Sequence, residues 1–240
     1  MIFDQNLTEG RLIKRYKRFL ADVELPSGEV VVAHCANSGS MLGCQAPGSR
    51  VFLSPNTNPK AKLDWRWEML EVDGHLVGIN TSHPNRLAEE AIIAGKITEL
   101  SGYDRLKREV KYGKNSRIDI LLARNDSAVP ADSCYVEVKN VTLRVGDQAQ
   151  FPDSVTARGT KHLNELMDMV AEGHRAVMLY LVQRGDCLSF APAADIDPTY
   201  AATLSQAVAA GVETLCYACD LSVDGITVAK PMPMRIGAVE

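Results

Sequence analysis

The pattern of apolar residues changes at residues 80–85, and this change constrains the fold more than any other feature of the chain. Before it, short segments that alternate apolar and polar residues are separated by turn-forming residues, which is typical of β-strands joined by tight turns. Five short strands within the first 82 residues predict a small barrel such as an OB-fold. The five segments are RFLADVEL, EVVVAH, RVFLSP, WRWEMLEV and HLVGINT.

Helix and strand patterns alternate after residue 85. RLAEEAIIAGKI predicts a first helix, and a longer helix is expected to start after Asp153 or Ser154, either of which could cap it. RAVMLYLVQ is typical of a strand buried on both faces, and DPTYAATLSQAVAAGV predicts another helix before a final β segment. This order predicts an α/β domain with a mixed sheet, and an α+β protein overall. We therefore expect a barrel at residues 1–82 and an α/β domain at residues 83–240.

The composition excludes several classes of protein. With 46% hydrophobic and 23% charged residues, the chain has the balance of a globular protein. It has neither an apolar run of the roughly 18 residues that a membrane span needs nor a secretory signal, so we expect a cytoplasmic protein with no membrane partner. The six cysteines are scattered, which fits reduced thiols. Cys216 and Cys219 form a CxxC without a second ligand pair for zinc, and we expect both to be structural.

Basic residues are concentrated in two clusters, although the net charge is −4. A local basic patch on an acidic protein can hold a polyanion at a defined place. On charge alone, two solvated faces are the simpler interpretation. The clusters are Arg11, Lys14, Arg15, Lys17 and Arg18, and then Arg105, Lys107, Arg108, Lys111, Lys114 and Arg117.

Two predicted strands carry charged residues on one face. Successive residues of a strand point to opposite faces, so Glu137 and Lys139 share a face in YVEVKNV. Arg117 and Asp119 share a face in SRIDILL for the same reason. If the strands form a hairpin whose turn is centred near Ala128, Asp119 lies across from Glu137, and opposed residues point to the same face. The sequence therefore predicts two converging carboxylates with a lysine beside them.

Two opposed carboxylates destabilise a sheet unless a cation lies between them. Carboxylate and backbone oxygens are the ligands of a hard divalent ion such as Mg2+ or Mn2+, which makes Asp119 and Glu137 candidate metal ligands. Lys139 could orient an attacking water or stabilise the charge of a phosphoryl transition state. Without metal, the repulsion predicts that Glu137→Gln stabilises the protein. The alternative interpretation is an exposed charged face.

Asp119 followed by Glu137-Val138-Lys139 resembles the PD-(D/E)xK signature of restriction-endonuclease-like nucleases, with Ile118 in place of its proline. Almost the whole chain resembles the bacterial sugar fermentation stimulation protein family. The resemblance implies an N-terminal OB-fold, a restriction-endonuclease-like domain, DNA binding with little sequence preference, and a regulatory role in sugar (maltose) metabolism. The segments that carry it are RYKRFLADVEL, HCANSGSMLG, ELSGYDRLKREVKYG, SRIDILL, YVEVKNVTL and FPDSVTARGTKHLNEL.

The resemblance also implies roles for individual residues. It makes Asp119 and Glu137 metal ligands and Lys139 the catalytic lysine. It further implies a catalytic glutamate on the first helix, for which Glu90 is the candidate, a solvated helix glutamate being the alternative. His162 is expected to have a surface or packing role. The expected nucleic-acid contacts are Arg105, Lys107, Arg108, Lys111, Arg117, Arg158 and Lys161.

Two functions of different classes fit these features. The first is a Mg2+- or Mn2+-dependent nuclease that binds DNA with little sequence preference. The second is a non-catalytic DNA-binding regulator that keeps the nuclease fold. The intact acidic pair and lysine favour the enzyme, because a pure binder gains nothing from buried like charges. A small-molecule-binding protein of sugar metabolism has no sequence feature of its own. The sequence leaves open whether the substrate is DNA or RNA, which strandedness is bound, and whether the chain forms a homodimer.

Overall fold

The computed structural model describes residues 1–113, 116–124 and 133–237. Strands β1 to β6 span Thr8–Tyr16, Leu20–Glu24, Val30–Cys35, Arg50–Pro55, Trp65–Val72 and His75–Gly78. They form one sheet in the order β3-β2-β1-β4-β5-β6. Because β3 also pairs in parallel with β5, strands β1 to β5 close into a five-stranded barrel of the OB type, as predicted.

The turns of the barrel follow their residue types. Asp73 and Gly74 both have positive φ, 51° and 78°, which the tight turn between β5 and β6 requires. Gly28 has φ 84° in the turn between β2 and β3. Leu53 and Trp67 are fully buried in the barrel core.

The sequence did not predict strand β1, and it placed Arg18 in the next strand, β2. In the structure Lys17 and Arg18 form the turn between β1 and β2, with φ 49° and 64°. Only Gly10 and Leu12 of β1 are buried, and a bulge between Leu12 and Lys14 interrupts the alternation. The strand was not predicted because its exposed face is basic and its buried face is short, so the sequence shows little alternation of apolar and polar residues.

The second domain contains strands β7 to β15 and three helices. The sheet order β15-β14-β12-β9-β8-β7 combines parallel pairs among β9, β12 and β14 with antiparallel pairs elsewhere, so the sheet is mixed as predicted. A small sheet has the order β10-β11-β13. The strands span Arg105–Tyr112, Ser116–Ala123, Ser133–Val141, Leu143–Val145, Gln148–Phe151, Arg175–Val182, Ser189–Pro192, Glu213–Ser222 and Gly225–Pro231.

The helices cover both faces of the large sheet. Helix α1 is Pro84–Ile93, α2 is Ala157–Ala171 and α3 is Pro198–Ala209. One hydrophobic cluster lies under α1, and a second lies under α2 and α3. Within the described residues, none of the helices combines the length and the apolar character needed to cross a membrane. Cys216 and Cys219 are buried free thiols, as expected.

The start of α2 differs from the prediction. Its N-cap is Thr156, whose hydroxyl accepts the Gly159 N–H at 3.0 Å. The expectation that Asp153 or Ser154 caps this helix was wrong. The Asp153 carboxylate instead accepts the backbone N–H of Met41, at 2.7 Å, and so joins this domain to the barrel.

The barrel and the second domain share a core. Phe52 and Met69 of the barrel belong to the cluster under α1. The Met1 ammonium donates to the Ile226 carbonyl at 2.8 Å, so the start of the chain packs on the second sheet. Because the two domains share this core, the domain boundary at residues 82/83 stays a prediction.

Candidate functional site

The register of β8 and β9 brings two carboxylates together. Ile120 pairs with Val136, so Asp119 and Glu137 occupy the next position along the two strands, and the predicted register is confirmed. The backbone N–H of Val138 donates to Asp119 Oδ2 at 2.8 Å. The predicted turn centre near Ala128 lies outside the described residues.

These strands form one wall of a cavity of about 320 Å³ between the barrel and the second domain. The barrel side contributes Asn37, Gly39 and Thr81, and the first turn of α1 contributes Asn85. The cavity therefore lies at the domain junction and is built from both domains. The residues that line it from the second domain include Asp119, Glu137, Lys139, Arg158 and His162.

Asp119 is held by neutral donors. The Asn85 side-chain amide donates to Asp119 Oδ1 at 2.8 Å and lies 3.3 Å from a Glu109 oxygen. Burial, and then the charge of Glu137, raise the pKa of Asp119, which the hydrogen bonds from Val138 and Asn85 only partly oppose. Sequence reasoning missed Asn85, whose position after Pro84 at the start of α1 was the available signal.

Glu137 is compensated by two side chains of the protein itself. It is 2% exposed, and its Oε1 accepts from Lys139 Nζ at 2.5 Å and contacts His162 Nδ1. Burial raises the pKa of Glu137, but Lys139 and His162 together outweigh burial and hold it below 4.5. Its other oxygen, Oε2, is buried without a hydrogen-bond partner.

The expectation that His162 has only a surface or packing role was wrong. The ring is buried between Glu137 and Arg158, whose Nε lies 3.3 Å from His162 Nε2. A tautomer that donates from Nδ1 to the carboxylate and accepts at Nε2 satisfies both contacts. The contact with Glu137 was not predicted, because the position of His162 on its helix reveals nothing about a partner on a distant strand.

The proposed role of Glu90 is not supported by its position. Its carboxylate pairs with the Met1 ammonium at 2.6 Å and with Arg86 at 2.8 Å, away from the cavity. Five residues separate it from Asn85, which in an α-helix is a rotation of about 140°. The two side chains therefore point in different directions, and it is Asn85 that bonds to Asp119.

The predicted nucleic-acid contacts fall into two groups. Arg158 lines the cavity, whereas Lys161 lies 3.0 Å from Ser116 Oγ, outside it. The basic residues of β7 are exposed on the edge strand, and Lys107 pairs with Leu121, which shares a face with Asp119. Contact with nucleic acid stays a prediction for all of them. The exposed group is Arg105, Lys107, Arg108, Lys111 and Arg117, whereas Lys114 lies outside the described residues.

The donor set fits a hard divalent cation. Asp119 and Glu137 supply carboxylate oxygens, and the unpartnered Oε2 of Glu137 is a buried acceptor that lacks a positive partner. Among the described residues, no three His, Cys, Asp or Glu side chains are grouped as a complete metal site. A site with two carboxylates suits Mg2+, which usually keeps several waters and binds one or two carboxylates together with substrate phosphates.

Comparison with known proteins identifies both domains. The model for the sugar fermentation stimulation protein RE domain matches residues 82–225, and the SfsA N-terminal OB domain model matches residues 13–79. A sugar fermentation stimulation protein homolog of Paramagnetospirillum magneticum is 58% identical over 236 residues, 98% of each chain. That of Geobacter sulfurreducens is 52% identical over 237 residues, covering 99% of this chain and 100% of its own length.

A solved structure supports the same assignment. The structure of Pyrococcus furiosus SfsA in complex with Ca2+ matches with a TM-score of 0.88 and 26% identity, covering 98% of both chains. The fold is therefore an OB domain followed by a nuclease-like domain. The chain belongs to the sugar fermentation stimulation protein family.

Proposed function

We propose that the protein is a Mg2+- or Mn2+-dependent nuclease that cleaves phosphodiester bonds in DNA with little sequence preference. One observation carries the proposal: Asp119 and Glu137 converge in a cavity that also contains Lys139, and one oxygen of the buried Glu137 has no partner. Perturbed carboxyl groups in a cleft are typical of catalytic sites.

Divalent cation binding is supported by the donor set and by the Ca2+ in the Pyrococcus furiosus relative. When bound, the cation supplies an activated water and neutralises charge on the reacting phosphate. Asp119 and Glu137 would hold it, and Asn85 would keep the Asp119 carboxylate in place through its 2.8 Å hydrogen bond.

The remaining polar residues of the cavity have distinct roles in this proposal. Lys139 now neutralises Glu137, and it would release the carboxylate and turn to the phosphate when substrate binds. His162 contacts the same Glu137 oxygen as Lys139 and would orient the carboxylate, and Arg158 is the cation available to a phosphate oxygen. The exposed basic residues of β7 would bind the flanking backbone, which explains a lack of sequence preference.

A non-catalytic DNA-binding regulator is the second candidate. Lys139 and His162 already compensate Glu137 within the protein, so the acidic pair can persist without a metal. The regulatory role implied for the family by its name points in the same direction. This candidate predicts DNA binding without cleavage under any divalent cation.

Cleavage assays with matched variants distinguish the two candidates. Purified protein is incubated with labelled DNA in Mg2+, Mn2+ or EDTA, and Glu137→Gln and Lys139→Ala are compared with the exposed-site controls Glu172→Gln and Lys230→Ala. We expect both site variants to lose at least about a hundredfold in rate, the scale for one preorganised electrostatic group, and to keep their DNA affinity in EDTA within a few-fold. Binding without any cleavage by the unmodified protein would replace the nuclease with the regulator.

A further inference from the structure

A loop of the barrel covers the cavity of the candidate site. Residues 36–41, here called the roof loop, follow β3 and reach across to the second domain. The Met41 N–H donates to the Asp153 carboxylate at 2.7 Å, and the Ser40 hydroxyl donates to the Asp153 carbonyl. The roof loop is thus fastened to the segment that precedes α2.

The roof loop is also fastened from the barrel side. The Arg15 guanidinium donates to the carbonyls of Asn37 and Gly39, both at 2.9 Å, and to that of Arg18 at 3.0 Å. The Asn37 amide donates to the Ile79 carbonyl at 3.1 Å. Arg15 belongs to the first basic cluster of the sequence, but its hydrogen bonds are used to hold this loop.

The packing under the loop is tight. A Cβ atom at Gly39 would lie 2.9 Å from one Asp153 carboxylate oxygen and 3.0 Å from the other. A larger residue at this position would therefore require the Asp153 carboxylate or the roof loop to shift.

The space beneath the roof loop has the volume of a small ligand pocket. The cavity of about 320 Å³ lies at the small end of the range for ligand pockets, about 300–1,000 Å³. Its lining includes the half-buried ring of Phe151, the Arg158 guanidinium, and the amides of Asn140 and Gln150, which also bond to Gln183 and Gln148. An aromatic ring and amides suit an unpaired base, and a guanidinium suits its phosphate.

We propose that the roof loop restricts the site to single-stranded DNA by admitting one unpaired nucleotide and excluding the duplex. The inference rests on the proposed nuclease function, whose acids lie at the bottom of this cavity, with Glu137 only 2% exposed. A phosphate in a duplex is flanked by the paired strand, which the roof loop would meet before the phosphate reached Glu137. An unpaired nucleotide can turn out of its strand and enter.

Binding measurements in EDTA test the proposal independently of cleavage. Fluorescence anisotropy compares a labelled 20-mer single strand with a closed dumbbell duplex of the same sequence. The salt concentration is raised to about 0.3 M, so that contacts to phosphates alone are weakened. We expect the single strand to bind at least tenfold more tightly than the dumbbell.

Two variants loosen the roof loop by different means. Asp153→Ala removes the acceptor of the Met41 N–H, and Gly39→Ala places a methyl group against the Asp153 carboxylate. Both should lower the ratio of single-strand to duplex affinity at least threefold. The controls are Asp147→Ala, at an exposed side chain, and Gly185→Ala, where a Cβ would meet nothing within 4 Å.

The outcomes separate this inference from the nuclease proposal. Equal affinity of the unmodified protein for both DNAs overturns the inference, even if the protein cleaves DNA. An affinity ratio that stays constant in a folded Gly39→Ala or Asp153→Ala protein also overturns it. Single-strand preference that falls in both variants supports it, even if no condition produces cleavage.

Discussion

Two isosteric substitutions in the acidic pair should change stability in opposite directions. Glu137→Gln removes the negative partner of Lys139, whose side chain is only 12% exposed, and should destabilise the metal-free protein. Asp119→Asn removes a partly buried charge whose pKa is raised by burial and by Glu137, and should stabilise it. The Asn85 amide can rotate to accept from the new carboxamide, but it then loses its 3.3 Å contact with Glu109.

The magnitude for Glu137→Gln follows from its two contacts. A glutamine oxygen can still accept from His162, so the main loss is the 2.5 Å charged hydrogen bond from Lys139. Such bonds contribute about 1.5–3 kcal/mol, and we expect a loss of about 2 kcal/mol because Lys139 retains some contact with water. For a chain of 240 residues this corresponds to a decrease in Tm of about 4–8 °C.

The effect of each substitution on stability depends on pH. Glu137 has a folded pKa below 4.5, so its contribution is present above 4.5 and is lost as the pH falls through the folded value. Asp119 has a folded pKa above 3.8, so its ionisation destabilises the fold as the pH rises from 3.8 through that value. The stability differences between each variant and the unmodified protein should therefore reach their full size at neutral pH.

Thermal unfolding in EDTA at pH 7 and at low pH measures these differences. Glu172→Gln, at an exposed side chain of the cap of α2, is the matched control and should stay within about 0.5 kcal/mol of the unmodified protein. A Glu137→Gln protein more stable than the unmodified one at pH 7 would refute the reasoning. It would mean that repulsion from Asp119 exceeds the attraction of Lys139 and His162.

Two further predictions concern DNA and metal binding. Neutralising Arg105, Lys107, Arg108 and Lys111 should reduce the slope of log affinity against log salt by about 0.9 for each phosphate that the protein no longer neutralises, as measured by anisotropy on unrelated DNA sequences. An unchanged slope would exclude β7 from the binding surface, and a strong preference for one sequence would favour the regulator. Lys139→Ala should bind Mn2+ more tightly in calorimetry, because the ammonium at 2.5 Å from Glu137 no longer competes with the cation. Weaker binding would show that Lys139 does not occupy the cation's place.

Local regularities of the chain were sufficient to predict the fold and the centre of the site. A hairpin turn assumed to be centred near Ala128 placed Asp119 opposite Glu137, and strand alternation then put both side chains on one face. The same reasoning gave the mixed sheet and the buried strand β12. Strand β1 was missed because a bulge and exposed basic residues disturb the period.

Contacts between distant elements could not be predicted in this way. His162 meets Glu137 from the first turns of α2, and Asn85 meets Asp119 from the start of α1. The hydrophobic stripe of a helix shows which side is buried. It does not show which strand residue a polar side chain at the edge of that stripe will meet. These contacts also changed a predicted sign, because Lys139 and His162 compensate Glu137, whereas repulsion alone had suggested that Glu137→Gln stabilises the protein.

The energetics of the acidic pair argue against a purely structural role. A buried carboxylate oxygen without a partner, as at Glu137, costs about 1–3 kcal/mol, and a second carboxylate beside it adds to the cost. Replacing buried ionic groups with well-packed apolar residues is often neutral or stabilising, so a scaffold has no need of this pair. Local features that oppose stability are expected at functional sites, and here they line a cavity that both domains build. A ligand that supplies positive charge to Asp119 and to the unpartnered oxygen of Glu137 would remove the penalty, and the acidic pair thereby supports the proposed metal site.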